Sequence, residues 1–228
     1  MSDGIRLDQA VEITRTGDVW LFRGDTGADK AIRLATNAPV NHVALAVVVD
    51  DLPPMMWHAE LGKRLVDLWT GTHHRGAQLH DLRAAVLRWT RTRSQRVWLR
   101  QLDPEAGEPE NDAVLRTIAR WNGTSFPSTA TLAWRWATGR SEVSRVRESV
   151  GHVVDRSADG GAGSIQAQAE VAYCAELAAI TYQAMGVLTE ERPVNWYDPG
   201  RFWSGDHLPL ADGWSIGGET EVLVDRTR

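Results

Sequence analysis

Cysteine and lysine are the scarcest residues of interest in this sequence. Cys174 is the only cysteine among 228 residues, which excludes an internal disulfide and any zinc site built from cysteines. Lys30 and Lys63 are the only lysines among 25 basic residues. We interpret the excess of arginine as a compositional bias rather than as a binding patch.

Long apolar runs and a surplus of positive charge are also missing. The N-terminal segment, residues 1–18, contains no apolar stretch of signal-peptide length, and no later run approaches the length of a membrane-spanning helix. The formal net charge of −5 argues against binding to nucleic acid or to an anionic membrane surface. We therefore expect a cytoplasmic protein without an integral membrane segment.

The bulk composition is that of a soluble globular protein. Hydrophobic residues make up 43% and charged residues 24% of the chain, and its length is sufficient for one sizeable domain. We expect a single domain over residues 1–228 with a helical and glycine-rich insertion at about residues 134–168. The chain contains eleven tryptophans, and we expect their large rings to fill the edges of the core and to line an aromatic-walled groove.

Short apolar and β-branched segments predict a sheet in the first half of the chain. Residues 40–49 are apolar on both faces, as in a central strand. Helices are expected at about 28–36, 112–121 and 171–185. Other strands are predicted at residues 19–22, 55–61 and 221–224, and residues 78–82 lead into another strand near 85–90. Residues 96–102 are strand-like or a helix entry. The pattern predicts an α+β fold, with helices packed on an antiparallel sheet built largely from residues 17–102.

The segment from Glu170 to Gly186 is an unusually apolar part of the chain and contains Cys174. Its alanine-rich run, stopped by a glycine, is typical of a buried helix. Cys174 is expected near the start of this helix, where the helix dipole lowers the pKa of a thiol. The thiolate is the form that attacks a carbonyl carbon. The alternative is that Cys174 is a small buried hydrophobic residue.

A cysteine nucleophile needs a base, and His42 is the candidate that the pattern favours. It lies at the head of the most buried predicted strand, whose rigid backbone would hold the imidazole at the sheet edge. Glu60 lies in the next strand, where antiparallel pairing brings its carboxylate near His42. The alternative for His42 is a core histidine that bonds to a neighbouring carbonyl. The alternative for Glu60 is a solvated charge at the end of its strand. His58 shares a strand face with Glu60 and is a second candidate base.

Five short motifs in a fixed order carry a resemblance to a known family. They are GDVWLF at 17–22, AIRLAT at 31–36, NHVALAV at 41–47, WHAE at 57–60 and YCAEL at 173–177. Histidine and glutamate before cysteine is the order of the permuted papain-like cysteine amidases, the YiiX-like, circularly permuted branch of the NlpC-type peptidases, which this chain resembles. Ala175 departs from the serine usual in that family, and we match no part of the family to residues 134–168.

The resemblance implies a permuted papain-like fold and a role for each motif. Cys174 would be the nucleophile, His42 the general base and acid, and Glu60 the group that orients the imidazole. The implied enzyme is a hydrolase or acyltransferase that acts on an amide or ester bond through an acyl-enzyme. The backbone N–H of Cys174 would meet the oxyanion, with Tyr173 as a candidate second donor. Asp18 would cap its turn or close the site entrance.

The implied substrate is a small molecule, a peptide or a lipid acyl chain, and the resemblance implies no cofactor and no metal. Two other interpretations stay open. One is a non-catalytic binding or scaffold domain that keeps the fold. The other is a metal protein that uses His42, His58 and Glu60. His80 shows no partner in the sequence pattern.

Overall fold

The computed structural model describes residues 4–25, 30, 33, 37–60, 64–93, 95–124, 162–205 and 207–224. The described chain is a mixed α+β protein with a seven-stranded, mostly antiparallel sheet, which confirms the predicted class. None of the described helices is long and apolar enough to cross a membrane. The helix predicted at 28–36 and most of the insertion at 134–168 lie outside the described residues.

The large sheet has the strand order β1-β9-β6-β2-β3-β4-β5, and β7 pairs with β8 in a second, two-stranded sheet. Among the described strands of the large sheet, only β1 and β9 pair in parallel. The strands are β1 (Ile5–Arg6), β2 (Val19–Arg23), β3 (His42–Val47), β4 (Met55–Glu60), β5 (Gly76–Asp81), β6 (Arg96–Arg100), β7 (Leu102–Asp103), β8 (Ser215–Ile216) and β9 (Thr220–Leu223). The α-helices are α1 (Leu7–Ile13), α2 (Leu82–Arg93), α3 (Glu108–Trp121) and α4 (Ala162–Ala184), and two 3-10 helices span Val194–Trp196 and Pro199–Phe202.

Residues 85–90, which we predicted to be a strand, belong instead to α2. Leu82, Val86 and Trp89 recur at helical spacing and are all buried, so the apolar period is that of a helix packed on the sheet. The Asp81 carboxylate accepts a hydrogen bond from the backbone N–H of Ala84 (2.7 Å) and caps the first turn. The strand prediction for this segment was wrong.

Helix α4 begins earlier than the sequence suggested, and this changes the setting of Cys174. The helix starts at Ala162, so Cys174 lies about three turns beyond its first residue. The residues before Glu170 include alanine and glutamine, which are good helix formers. Because the helix dipole acts within the first turn, the predicted helix-start position of Cys174 is wrong and supplies no activation of its thiol.

The sheet is covered on both sides by separate hydrophobic clusters. Along β3 and β4, odd-numbered apolar side chains join one cluster and even-numbered ones join the other. The side packed against α4, called the α4 face, includes Val43, Leu45, Trp57, Ala59, Cys174, Leu177 and Ala178. The side packed against α2, called the α2 face, includes Phe22, Ala44, Ala46, Met56, Leu82, Val86 and Trp89. Side chains on the two faces are therefore separated by the sheet itself.

Asp67 fastens the connection between β4 and β5 to the edge strand. Its buried carboxylate accepts hydrogen bonds from the backbone N–H groups of Leu79 (2.7 Å) and Thr70 (2.9 Å). It also accepts from the Thr70 hydroxyl (2.7 Å) and the Asn122 amide (2.9 Å). Burial alone would raise the pKa of Asp67, but these hydrogen bonds together outweigh it and lower the pKa to about 2.

This anchor predicts the behaviour of Asp67→Asn. The amide turns a donor toward groups that are themselves donors, so we expect the free energy of unfolding to fall by about 2 kcal/mol at pH 7, measured by urea denaturation. Because the pKa of Asp67 is lower in the folded than in the unfolded chain, its contribution is present above about pH 4 and is lost as the pH falls toward 2. The gap between variant and wild type should therefore narrow over that range. As a control, Asp8→Asn removes an exposed ion pair with Arg83 and should leave the free energy of unfolding close to that of wild type. A gap that does not change with pH would contradict the assignment.

Candidate metal centre

The register of β4 and β5 gathers four polar side chains on the α2 face. His58 is paired with Gln78, and Met56 with His80, so the even-numbered side chains of both strands lie on one side. Glu60, His58, His80 and Gln78 are each no more than 1% exposed. Buried polar groups at this density must bond to one another, because leaving each unpaired costs about 1–3 kcal/mol.

Three of these side chains bring metal-ligating atoms together. His58 Nε2 lies 2.9 Å from His80 Nδ1, and Glu60 Oε2 lies 3.9 Å from the same His80 nitrogen. One ligand atom from each of His58, Glu60 and His80 lies within 4.8 Å of the others. The arrangement supplies two imidazole nitrogens and one carboxylate oxygen.

The two histidines belong to a longer hydrogen-bonded row. His42 Nε2 lies 3.2 Å from His58 Nδ1, and His80 Nε2 lies 3.0 Å from Gln78 Oε1. The ring of Trp89 packs edge-on against the rings of His42 and His58, with centroid separations of 4.4 Å and 4.9 Å. Helix α2 therefore holds the imidazoles in place through Trp89.

Burial keeps the central histidines neutral. It lowers the pKa of His80 to about 4. Burial first, and then the neighbouring His80 and His42, hold the pKa of His58 well below its ordinary value. Neutral imidazole is the form that binds a metal. Near the carboxylate, Arg88 Nε lies 3.9 Å from Glu60 Oε1, so a positive charge accompanies the acidic ligand.

His42 and Glu60 both contact groups on the α2 face. His42 packs against Phe22 and Trp89 on the α2 face, whereas Cys174 is buried in the cluster of the α4 face. The imidazole nitrogen in hydrogen-bonding range of His42 belongs to His58, and the carboxylate of Glu60 lies near His80 and Arg88. The structure thus groups His42, His58 and Glu60 on one side of the sheet and places Cys174 on the other. A catalytic role for Cys174 stays a prediction.

Tyr173 and Asp18 are both buried, and each bonds to backbone. The Tyr173 hydroxyl donates to the carbonyl oxygen of Thr124 (3.5 Å). The Asp18 carboxylate accepts from the backbone N–H groups of Arg15 (2.8 Å) and Leu102 (2.9 Å), so Asp18 caps its turn, one of the two roles expected. Burial raises the pKa of Asp18 to about 6. A role for Tyr173 at an oxyanion stays a prediction.

Sequence reasoning missed His80, Gln78, Arg88 and Trp89. The alternation of Gln78 and His80 along β5 was a usable signal, since it matches that of His58 and Glu60 along β4. Arg88 and Trp89 could not be placed because their segment was predicted to be a strand rather than α2.

Neither a protein-family model nor a curated protein matches this sequence. Among solved structures, the chain is similar to a crystal structure of the metalloprotein YiiX from Escherichia coli O157:H7. The identity is 15%, the TM-score is 0.46, and the match covers 93% of this chain and 98% of that chain. A likeness at this level establishes neither family nor activity, so membership of the permuted papain-like amidases stays a prediction.

The low pKa values of His58 and His80 predict that neither imidazole titrates between pH 7 and pH 5. In metal-free protein we expect the imidazoles of His58 and His80 to stay neutral from pH 7 to pH 5, followed by ¹⁵N NMR of histidine-labelled protein. Because both rings take up protons near pH 6.5 only in the unfolded chain, the contribution of His80 to the free energy of unfolding falls as the pH falls from about 6.5 toward 4. The contribution of His58 also falls as the pH drops below about 6.5. A midpoint above pH 6 for either ring would contradict this.

Proposed function

We propose that this chain is a metalloprotein that binds one divalent transition-metal ion, zinc in the first instance, through His58, Glu60 and His80. The observation that carries the proposal is the convergence of their ligand atoms within 4.8 Å at a site where all three side chains are buried. The metal interpretation of the sequence used His42, His58 and Glu60. In the proposed centre, His80 takes the place of His42 as a ligand.

The donor set fits zinc better than the hard cations. Two imidazole nitrogens and a carboxylate oxygen are common zinc ligands, whereas magnesium and calcium prefer oxygen alone. With zinc–nitrogen bonds of about 2.0–2.1 Å, two nitrogens of a tetrahedral site lie about 3.3 Å apart. The His58 and His80 nitrogens are at 2.9 Å, so small side-chain rotations would admit the ion.

The charges and burial of the site shape its expected affinity and role. The imidazoles of His58 and His80 are already neutral, so neither has to release a proton before it binds a metal. Arg88 opposes a dication because its guanidinium lies close to the Glu60 carboxylate. Ligands that are each 1% exposed hold the ion away from solvent, where it would tie β4 to the edge strand β5.

Metal binding to the full chain tests the proposal. After treatment with a chelator, isothermal titration with zinc should give about one ion per chain, together with a rise in Tm. Glu60→Gln and His80→Asn should each weaken binding at least 100-fold, because each removes a ligand. His73→Asn, in an exposed loop, is the matched control and should bind as wild type does.

Two further measurements keep this test decisive. Circular dichroism of the metal-free variants shows whether a lost affinity reflects loss of the fold. If the ligand variants do not fold, Arg88→Gln provides an independent check, since removing its charge should tighten zinc binding. Absence of zinc uptake by folded wild-type protein would refute the proposal, as would uptake that is unchanged in Glu60→Gln and His80→Asn.

A second candidate function is the cysteine hydrolase or acyltransferase implied by the motif order, acting on an amide or ester bond through an acyl-enzyme on Cys174. One observation favours it. Tyr173 bonds to Thr124, and Thr124 bonds to Ala77 at the start of β5, so Cys174 lies toward the end of the sheet where β3 begins. A permuted papain-like fold, a single domain over 1–228 and a cytoplasmic location belong with this candidate. It requires the thiol and the His42 imidazole to meet on one side of the sheet.

Labelling with iodoacetamide separates the two candidates, because Cys174 is the only thiol. From the burial of Cys174 and its position on the α4 face, we expect labelling at pH 7 slower than that of a free thiol and unchanged by His42→Ala. Denatured protein supplies the control for full reactivity. Labelling faster than a free thiol, and lost in His42→Ala, would instead support the cysteine enzyme.

A further inference from the structure

The orientation of Gln78 fixes a proton position at one end of the histidine row. Its side-chain Nε2 donates to the carbonyl oxygens of Glu60 (3.0 Å) and Gly76 (3.3 Å). The atom that faces His80 Nε2, at 3.0 Å, is therefore the oxygen Oε1. An amide oxygen only accepts hydrogen bonds, so His80 carries its proton on Nε2 and its lone pair on Nδ1.

That assignment propagates along the row in the metal-free protein. His80 Nδ1, as an acceptor, receives the hydrogen bond of His58 Nε2–H across 2.9 Å. His58 Nδ1 is then the lone-pair nitrogen and receives the hydrogen bond of His42 Nε2–H across 3.2 Å. With one proton on each ring, all three are Nε2–H tautomers, and Gln78 sets their common direction.

Metal binding at the centre would reverse the direction of the hydrogen bond between His42 and His58. The ion needs lone pairs on His58 Nε2 and His80 Nδ1, and His80 already presents one. His58 must carry its proton on Nδ1 instead, which turns an N–H toward His42 Nε2. Two N–H groups cannot face each other at 3.2 Å, so His42 must accept there and carry its own proton on Nδ1. Each ring keeps one proton, so no ring changes its charge.

We propose that His42 and Gln78 are positioning residues of the metal centre, and that metal binding switches His42 from the Nε2–H to the Nδ1–H tautomer. The inference rests on the proposed function. The two residues act through different ligands: Gln78 orients His80, and His42 accepts from His58. Such outer partners fix the ring orientation and raise the basicity of ligating histidines. The edge-on ring of Trp89 opposes rotation of His42 as an alternative to the switch.

The tautomer of His42 is measured directly by long-range ¹H–¹⁵N NMR spectra of the full chain labelled at histidine. In metal-free protein at pH 7 we expect His42 as the Nε2–H form. With one equivalent of zinc we expect the Nδ1–H form, together with shifts of the ligating nitrogens of His58 and His80. The signals are assigned by comparison with single histidine variants.

Zinc affinity in two variants at His42 tests whether the residue acts through its hydrogen bond or only through the packing of its ring. His42→Ala removes the acceptor for His58 and should weaken zinc binding about 10-fold to 100-fold. His42→Gln restores an oxygen acceptor and should recover most of that loss. The paired comparison separates the hydrogen bond from the packing of the ring.

The outcomes distinguish this inference from the metal proposal itself. If zinc leaves the signals of His58 and His80 unchanged, the metal centre is refuted and this inference falls with it. If zinc shifts those signals but His42 keeps its proton on Nε2, the switch is refuted while the metal centre stands. Wild-type zinc affinity in His42→Ala would refute the positioning role of His42.

Discussion

The hydrogen bond between His58 and His80 is the interaction on which the α2 face depends. It joins neighbouring strands at a place from which water is excluded, where an unpaired imidazole nitrogen would be destabilising by about 1–3 kcal/mol. His42 and Gln78 continue the row in the two directions. A buried polar network of this kind stabilises only when its members are satisfied. The ring of Trp89 packs edge-on against His42 and His58 and holds their orientation.

The sheet separates two kinds of chemistry. Its α2 face holds imidazoles and a carboxylate, and its α4 face holds the only cysteine in an apolar cluster. On the α2 face the three imidazoles and the Gln78 amide form one hydrogen-bonded row, and on the α4 face Cys174 belongs to the hydrophobic cluster. A sheet buried on both sides thereby keeps the histidine row and the cluster that contains Cys174 on different faces.

Much of the sheet could be predicted from the sequence, because β-branched and apolar runs such as residues 40–49 admit few other structures. The shared face of His58 and Glu60 followed from alternation alone. The face that carries His42 could not be predicted. A strand that is apolar on both sides gives no sign of which helix covers which side. The sequence pattern therefore could not show whether His42 and Cys174 lie on the same face of the sheet.

The two errors in the helices have local causes. In residues 82–93, an apolar pattern interrupted by arginines fits a strand over a short window, and only the longer spacing from Leu82 to Trp89 shows the helical period. The glycines and serine near residues 160–164 fall in the glycine-rich insertion expected at about 134–168, yet helix α4 already begins at Ala162. That extension moved Cys174 away from the helix end on which its predicted reactivity depended.

X-ray absorption spectroscopy of the zinc-loaded full chain tests the central claim most directly, because it identifies the atoms bound to the ion. The account predicts a first shell of nitrogen and oxygen at about 2.0–2.2 Å, with the outer-shell scattering of two imidazole rings and no sulfur. A sulfur neighbour at about 2.3 Å would place the ion on Cys174 and contradict the account. A spectrum of fully hydrated zinc would show that the buried histidines bind no metal.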